Sequence, residues 1–283
     1  MAKGEAGPKK PSSRPDIATL GGLVLAFAGI LGGLVLEGGK LTDITQITAA
    51  MIVLGGTLGA VMVTTPLATL LRAAKWLGSV FFERVESPQQ IIEEIITYAT
   101  KARKNSIISL ESDLPNIHDT FLRKSISLSV DGTDLQELRK MMELDMSLEQ
   151  RSGEAIAKVY EMAGGYSPTI GIIGAVLGLI QVMKHLENIE EVGRGIAVAF
   201  VATVYGVAIA NLFFLPVANK IKARFHHSLH IKELMLEGVC SIVEGLNPKL
   251  IRVKLEAFAE GGGSAKKAKA EKGQAAQAAP AEG

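Results

Sequence analysis

Charged residues are missing from four long stretches of the chain. Ile17 to Leu36 gives 20 consecutive uncharged residues. Another 28 lie between Asp43 and Arg72, the last 23 of which, Ala49 to Leu71, are almost wholly apolar. A further 22 separate Glu161 from Lys184, and 25 separate Arg194 from Lys220. A helix rises about 1.5 Å per residue, so about 20 apolar residues cross a hydrocarbon core of about 30 Å. A core helix of a soluble protein is usually shorter and shows a polar stripe, and none of these stretches does. The pattern predicts four transmembrane helices. The first run is too long for the apolar region of a signal peptide, about 7–15 residues, and no clear small-x-small cleavage site ends it, so it reads as an uncleaved span.

Between the second and third stretches the pattern changes to helical periodicity with dense charge, 15 acidic and 12 basic residues over 72–161. Ser87-Pro88-Gln89-Gln90 reads as a helix start, with Ser as N-cap, Pro at the first helical position and Gln completing a capping box. That helix runs through Ile91, Ile92, Ile95, Ile96 and Ala99 to about Lys104, where Asn105-Ser106 interrupts it. Pro115 ends a short segment around Leu110, and a further helix covers about Thr120 to Ser129. Asp131-Gly132 is a turn, Thr133 with Gln136 forms a second capping box, and the helical pattern then continues past Lys158 into the third span. No strands are evident in this insert.

Charge at the span ends sets orientation. Lys9, Lys10 and Arg14 precede span one, Arg72 and Lys75 follow span two, Lys158 precedes span three, and Lys220, Lys222 and Arg224 follow span four. The linkers at 37–46 and 184–194 are short and slightly acidic. Both termini and the insert are therefore expected in the cytoplasm. The chain divides into a cytoplasmic N-terminal segment over 1–15, two spans within 16–71, a cytoplasmic helical domain over 72–161, two spans within 162–218, a cytoplasmic C-terminal helix over 219–260 and a tail over 261–283. The tail holds only Gly, Ser, Ala, Lys, Glu, Gln and Pro, a composition that cannot bury a core and reads as disordered. The fold class is all-α membrane protein.

Composition narrows the chemistry. The net charge is +1, without the clustered basic excess of a nucleic-acid binder, and one Cys with five His leaves no metal or disulfide framework. His226 and His230, four apart without a third ligand nearby, read as a wetted helix face, Cys240 as a small core residue and Trp76 as an interfacial aromatic. No cofactor and no enzymatic constellation is expected.

Within the spans, small residues recur at spacings of three and four: Gly22, Ala26, Gly29 and Gly33 in span one, Gly55, Gly56 and Gly59 in span two, Gly171, Gly174 and Gly178 in span three. Such spacing lets helix backbones approach closely in lipid, within one chain or between copies; a homo-oligomer is the favoured expectation. The spans contain no Asp, Glu, Lys, Arg or His. A charge at the bilayer centre costs about 2.5–3.5 kcal/mol on insertion scales, which ion-handling proteins accept because ions need a site. If this chain handles ions, the acid comes from another polypeptide. The hydroxyls of Thr203 and others either back-bond to their own helices or serve a path. Pro168, after Gly164-Gly165-Tyr166-Ser167, starts a helix with Ser167 as N-cap or forms a hinge, and the residues leave both open; Pro216, in Phe213-Phe214-Leu215-Pro216, stands near the cytoplasmic end of span four.

Two spans, a charged helical insert, two spans and a short cytoplasmic end resemble the motility protein A (MotA) family of flagellar stator subunits. Gly55-Gly56-Thr57-Leu58-Gly59-Ala60, Lys101-Ala102-Arg103 through Leu110-Glu111, Ser167-Pro168-Thr169 through Ile180, and Ala202-Thr203-Val204-Tyr205-Gly206 with Asn211 through Pro216 carry the resemblance, which covers roughly residues 15–258. The related TolQ and ExbB energisers have one span before the insert, not two; a role of that kind in envelope processes is the alternative. The resemblance implies a homopentamer around two copies of a MotB-like, peptidoglycan-anchored partner that supplies an intramembrane Asp. It further implies ion flow across the bacterial inner membrane and contact of the insert with the rotor switch protein FliG. By the same resemblance Arg103 and Glu111 meet the rotor, Pro168 and Pro216 are conformational, and Thr203 faces the partner's acid, with Tyr205 beside it on the ion pathway. Sodium-driven members place Thr where Ala175 and Ala202 stand, which implies proton coupling here.

Overall fold

The computed structural model describes residues 13–84 and 87–259. The expected tail over 261–283 and most of the N-terminal segment lie outside the described residues. Four helices among the described residues are long and apolar enough to cross a membrane: Ile17–Leu36, Ile47–Thr64, Leu135–Lys184 and Ile189–Val243. Contacts divide the chain into two compact units. One comprises Ser13–Arg84 with Arg151–Phe225 and holds the spans; the other comprises, among the described residues, 87–150 and 226–259.

The span unit opens with strand β1 (Ser13–Pro15), which pairs antiparallel with β2 (Phe82–Arg84). This short ladder departs from the expectation of no strands around the insert. Helix α1 (Ile17–Leu36) is N-capped by Asp16, whose carboxylate accepts the Thr19 N–H at 3.0 Å; such a cap satisfies one of the orphan donors of the first turn. No residue of α1 is buried by its own chain. Helix α2 (Ile47–Thr64) presents Ala49, Val53, Thr57 and Val61 inward, one per turn, and contains a π-helical segment at Met51–Gly55.

The second span was expected to continue to Leu71. It stops at Thr64, because Thr65 is extended (φ −129°, ψ 132°) ahead of Pro66. Proline's ring clashes with a helical predecessor and removes an N–H, so the chain leaves the helix there. A separate helix, α3 (Leu67–Phe81), follows. It belongs to the span unit through Ala73, Trp76, Leu77 and Val80, which pack in one cluster with Ile156, Tyr160 and Phe225. The Tyr160 hydroxyl donates to the Ala73 carbonyl at 2.8 Å. Trp76 packs against Phe225, ring centres 4.4 Å apart and planes tilted by 32°, so its ring fills a protein contact.

In the insert unit, α4 (Pro88–Asn105) starts with Pro88 at its first position as expected, but the Ser87 hydroxyl bonds the Gln89 side chain and caps no backbone N–H. A 3₁₀ segment (Ile107–Asn116) leads to α5 (Thr120–Val130), capped by Asp119 at Leu122 N. Helix α6 (Leu135–Lys184) begins at Asp134, whose carboxylate accepts from Gln136 N. The cap is therefore Asp134 and not Thr133, a shift of one residue that a carboxylate, the stronger acceptor, explains. Helix α7 (Ile189–Val243) and a last helix, α8, over 248–259 complete the order. Ile95, Leu122, Leu138, Leu234 and Leu255 are fully buried and bring α4 to α8 into one core. Glu237 joins Arg139 and Lys254 across three of these helices.

Candidate functional site

The third and fourth spans meet backbone to backbone. Along α6, Ser167, Gly171, Gly174 and Gly178 follow spacings of four, three and four; along α7, Gly195, Ala199, Ala202 and Gly206 do the same. A Cβ added at Gly178 would stand 2.8 Å from the Gly195 carbonyl, and one at Gly206 would stand 2.6 Å from the Ser167 carbonyl. A Cβ on Gly174 would meet the Ala202 methyl at 2.7 Å. Only small side chains allow this approach, and dispersion contacts of this kind drive helix association in lipid.

That contact locates the predicted pathway residues. Ala202 is fully buried in it. Ala175 and Thr203 stand one residue beyond the contacting pair Gly174 and Ala202, and both remain partly exposed. The Thr203 hydroxyl donates to the Ala199 carbonyl at 3.2 Å, a bond to its own helix that leaves the oxygen's lone pairs available. Tyr205 does something the sequence did not suggest. Its hydroxyl donates to the Ile44 carbonyl and accepts from Gln46 N at 3.2 Å. Gln46 is the N-cap of α2 and makes no side-chain cap of its own, so Tyr205 fastens the entry of α2 to α7.

Pro168 lies inside α6, which excludes the helix-start reading. The Ser167 hydroxyl instead donates across to the Gly206 carbonyl at 3.0 Å. Pro216 follows a π-helical segment, Ala210–Phe214, at the point where α7 resumes. A π bulge is a common way for a helix to absorb a local mismatch, and proline supplies one by clashing with the preceding turn. The two proline turns are neighbours: a Cβ on Gly164, four residues before Pro168, would fall 2.6 Å from the side chain of Leu215, next to Pro216.

Asp16 is the functional-looking group that sequence reading treated only as a span boundary. Its side chain is 5% exposed and pairs with Lys220 at 2.5 Å and Arg224 at 3.1 Å. Arg224 also donates to the carbonyls of Ser79, Val80 and Phe82, and Asp16 N donates to the Phe81 carbonyl at 2.9 Å. Burial pushes the Asp16 carboxyl up, but Lys220, the Thr19 N–H and Arg224 outweigh it and lower its pKa to about 2. The start of α1 is thus clasped to the end of α3 and to α7.

In the insert unit, Arg103 sits in the last turn of α4 and Glu111 in the 3₁₀ segment; both are exposed. Neither has an ion-pair partner among the described residues. Between them Ser106 adopts φ 70°, ψ 158°, a region that residues other than glycine rarely occupy. Lys101 bonds Asp113 at 2.7 Å and Ser112 at 3.0 Å, which folds the 3₁₀ segment back onto α4. His230 stacks on Phe258 with centroids 5.1 Å apart.

Comparison with known proteins agrees with this geometry. The pattern of the MotA/TolQ/ExbB proton channel family matches residues 113–234, and that of the motility protein A N-terminal region matches residues 20–105. Motility protein A of Bacillus subtilis is 34% identical over 244 residues, 85% of this chain and 89% of that protein. The solved structure of C. jejuni MotAB superposes with a TM-score of 0.82 at 31% identity, covering 86% of this chain and 95% of that one. The flagellar MotAB stator complex of B. subtilis gives 0.80 at 32%, covering 85% and 94%. This chain belongs to the motility protein A family, within the MotA/TolQ/ExbB proton channel family.

Proposed function

We propose that the chain is the membrane-embedded stator subunit of a flagellar motor, which conducts protons together with a MotB-like partner and converts their flow into torque. The observation that carries this reading is the match, over most of both chains, to structures of MotAB stator complexes. The two spans ahead of the insert favour it over a TolQ- or ExbB-like role. The activity is ion conduction, not catalysis.

The proposed mechanism follows from the span contact. No Asp, Glu, Lys, Arg or His stands in the four apolar stretches, so the proton carrier is the partner's intramembrane acid. Thr203 and Ala175, partly exposed beside the buried Gly174–Ala202 contact, face that acid. The methyl groups of Ala175 and Ala202 offer no oxygen to replace a sodium ion's hydration shell, whereas a proton needs only the carboxylate and water. A charge falling through 100 mV releases about 2.3 kcal/mol, so torque is built from repeated passages. Each protonation changes the partner's charge beside α6 and α7, and the adjoining turns of Pro168 and Pro216 pass the movement on. Arg103 and Glu111, exposed and without an ion-pair partner among the described residues, engage the rotor switch protein FliG. The assembly is a homopentamer in the lipid of the bacterial inner membrane, with both termini in the cytoplasm.

Swimming of a strain lacking the gene, complemented by this chain with its MotB-like partner, tests the reading. Restored motility at all sodium concentrations is expected. Motility that appears only with sodium overturns the coupling ion, and no restoration overturns the stator role.

A further inference from the structure

A cavity of about 320 Å³ opens beside Arg103. Its wall is mixed: Ala99, Ala102, Ile107, Ile242 and Leu246 supply the larger, apolar part and Ser129 and Thr133 a polar part, and Arg103 is the single charged residue lining it. Three helices end at this cavity: α4 at Asn105, α5 at Val130 and α7 at Val243. Gly132 and Gly245, with φ of 78° and 72°, form the turns after α5 and α7 and line the cavity, and both present bare backbone to open space. The strained joint at Ser106 adjoins the same wall.

Each of these features constrains an occupant. Helix C-termini carry partial negative charge, so a carboxylate is unwelcome on the floor of the cavity. The apolar part of the wall favours a hydrocarbon side chain against it. At the rim, the guanidinium of Arg103 has no ion-pair partner among the described residues and suits a carboxylate, which it can bind bidentately. Beyond Ser106, Glu111 suits a cation.

We infer that the cavity beside Arg103 is a socket for the rotor protein: a segment of that partner seats an apolar side chain among Ala102, Ile107 and Leu246 while a neighbouring acidic residue pairs with Arg103 at the rim. This rests on the rotor contact proposed above and adds to it a second kind of force. Charge pairs at an exposed rim are screened and contribute little alone. An inserted apolar group excludes water from the Arg103 pair and strengthens it, as the rim does for hot spots at protein interfaces. The charges steer the encounter, and the socket fixes its register at each step.

The test uses the full chain in complex with its MotB-like partner, with binding to purified rotor switch protein and proton flux in proteoliposomes both measured. Ala102→Leu fills the cavity and leaves Arg103 in place. It is expected to weaken rotor binding about tenfold, the scale of a small misfit in an apolar pocket, with flux unchanged. Thr133→Leu narrows the cavity from the turn after α5, outside the core, and is expected to do the same even where Ala102→Leu disturbs folding. Filled variants that bind the rotor as tightly as the unmodified chain overturn the inference. If Arg103→Glu still weakens binding in that event, the rotor contact stands without the socket. If Arg103→Glu also binds normally, both fall.

Discussion

Span one and the pair formed by spans three and four carry the same small-residue spacing and use it differently. Gly22, Ala26, Gly29 and Gly33 repeat the four, three, four register of Ser167, Gly171, Gly174 and Gly178. On α6 that register meets the backbone of α7 within the chain, whereas a Cβ on Gly22, Gly29 or Gly33 would meet nothing within 4 Å. Helix α1 is instead held at its start, by Asp16 with Lys220 and Arg224. A periodic stripe therefore says that two backbones are able to meet; it does not say which two. In the proposed ring, α1 keeps its small face for another copy, and its clasp fixes where that face is presented.

The comparison breaks first at the clasp. Asp16→Ala leaves the partly buried Lys220 and Arg224 without their acid; truncating one partner of a buried pair costs about 3–5 kcal/mol, and the partial exposure of both cations places this site at the lower end. Hydrogen exchange should show α1 and the β1–β2 ladder loosened while the α6–α7 contact stays protected. Acid acts on the same group. Its pKa is lowered to about 2 in the folded chain, against about 3.9 unfolded. The clasp's contribution is complete above the unfolded value and is lost as pH falls from about 4 towards 2. Exchange at α1 measured from pH 5 to 2 should follow that window, and loosening complete at pH 5 would contradict it.

The next largest effect is expected at the span contact. Gly206→Ala forces a methyl against the Ser167 carbonyl and the Gly171 backbone, an overpacking that costs about 1–3 kcal/mol. Thermal unfolding in detergent should fall accordingly. Ser167→Ala removes the bond to the Gly206 carbonyl and should cost about 1 kcal/mol. Smallest of all for the single chain is Gly29→Leu, which adds a side chain in open space; stability within about 0.5 kcal/mol of the unmodified chain is expected. The same change should reduce the yield of higher oligomers on native gels. Unaltered assembly would assign the α1 stripe to lipid.

Much of the fold was legible because membrane insertion imposes a coarse rule. Runs of about 20 uncharged residues mark spans whatever their neighbours are, and the first span was read with its observed bounds, Ile17–Leu36. The helices of the insert followed from periodicity and from Pro88. The break at Pro66 was equally local and was masked by the apolar residues on both sides of it; the proline was the available signal. Other features were not legible because they depend on distant partners. Asp16 and Arg224 are 208 positions apart, and Tyr205 reaches back to Ile44 across 161. Nothing in the local sequence of either predicts the meeting. At the site, the resemblance supplied Thr203, Pro168 and Pro216, and the structure added the contact between the two proline turns through Gly164 and Leu215.

The central claim is that the spans of this chain conduct protons only with an acid supplied by a partner. Proton flux into proteoliposomes measures it directly, with the chain alone, with its MotB-like partner, and with a partner whose intramembrane acid is replaced by its amide. Flux is predicted for the complex with the intact acid and for neither of the others. Flux through the chain alone, or through the complex lacking the acid, would contradict the account.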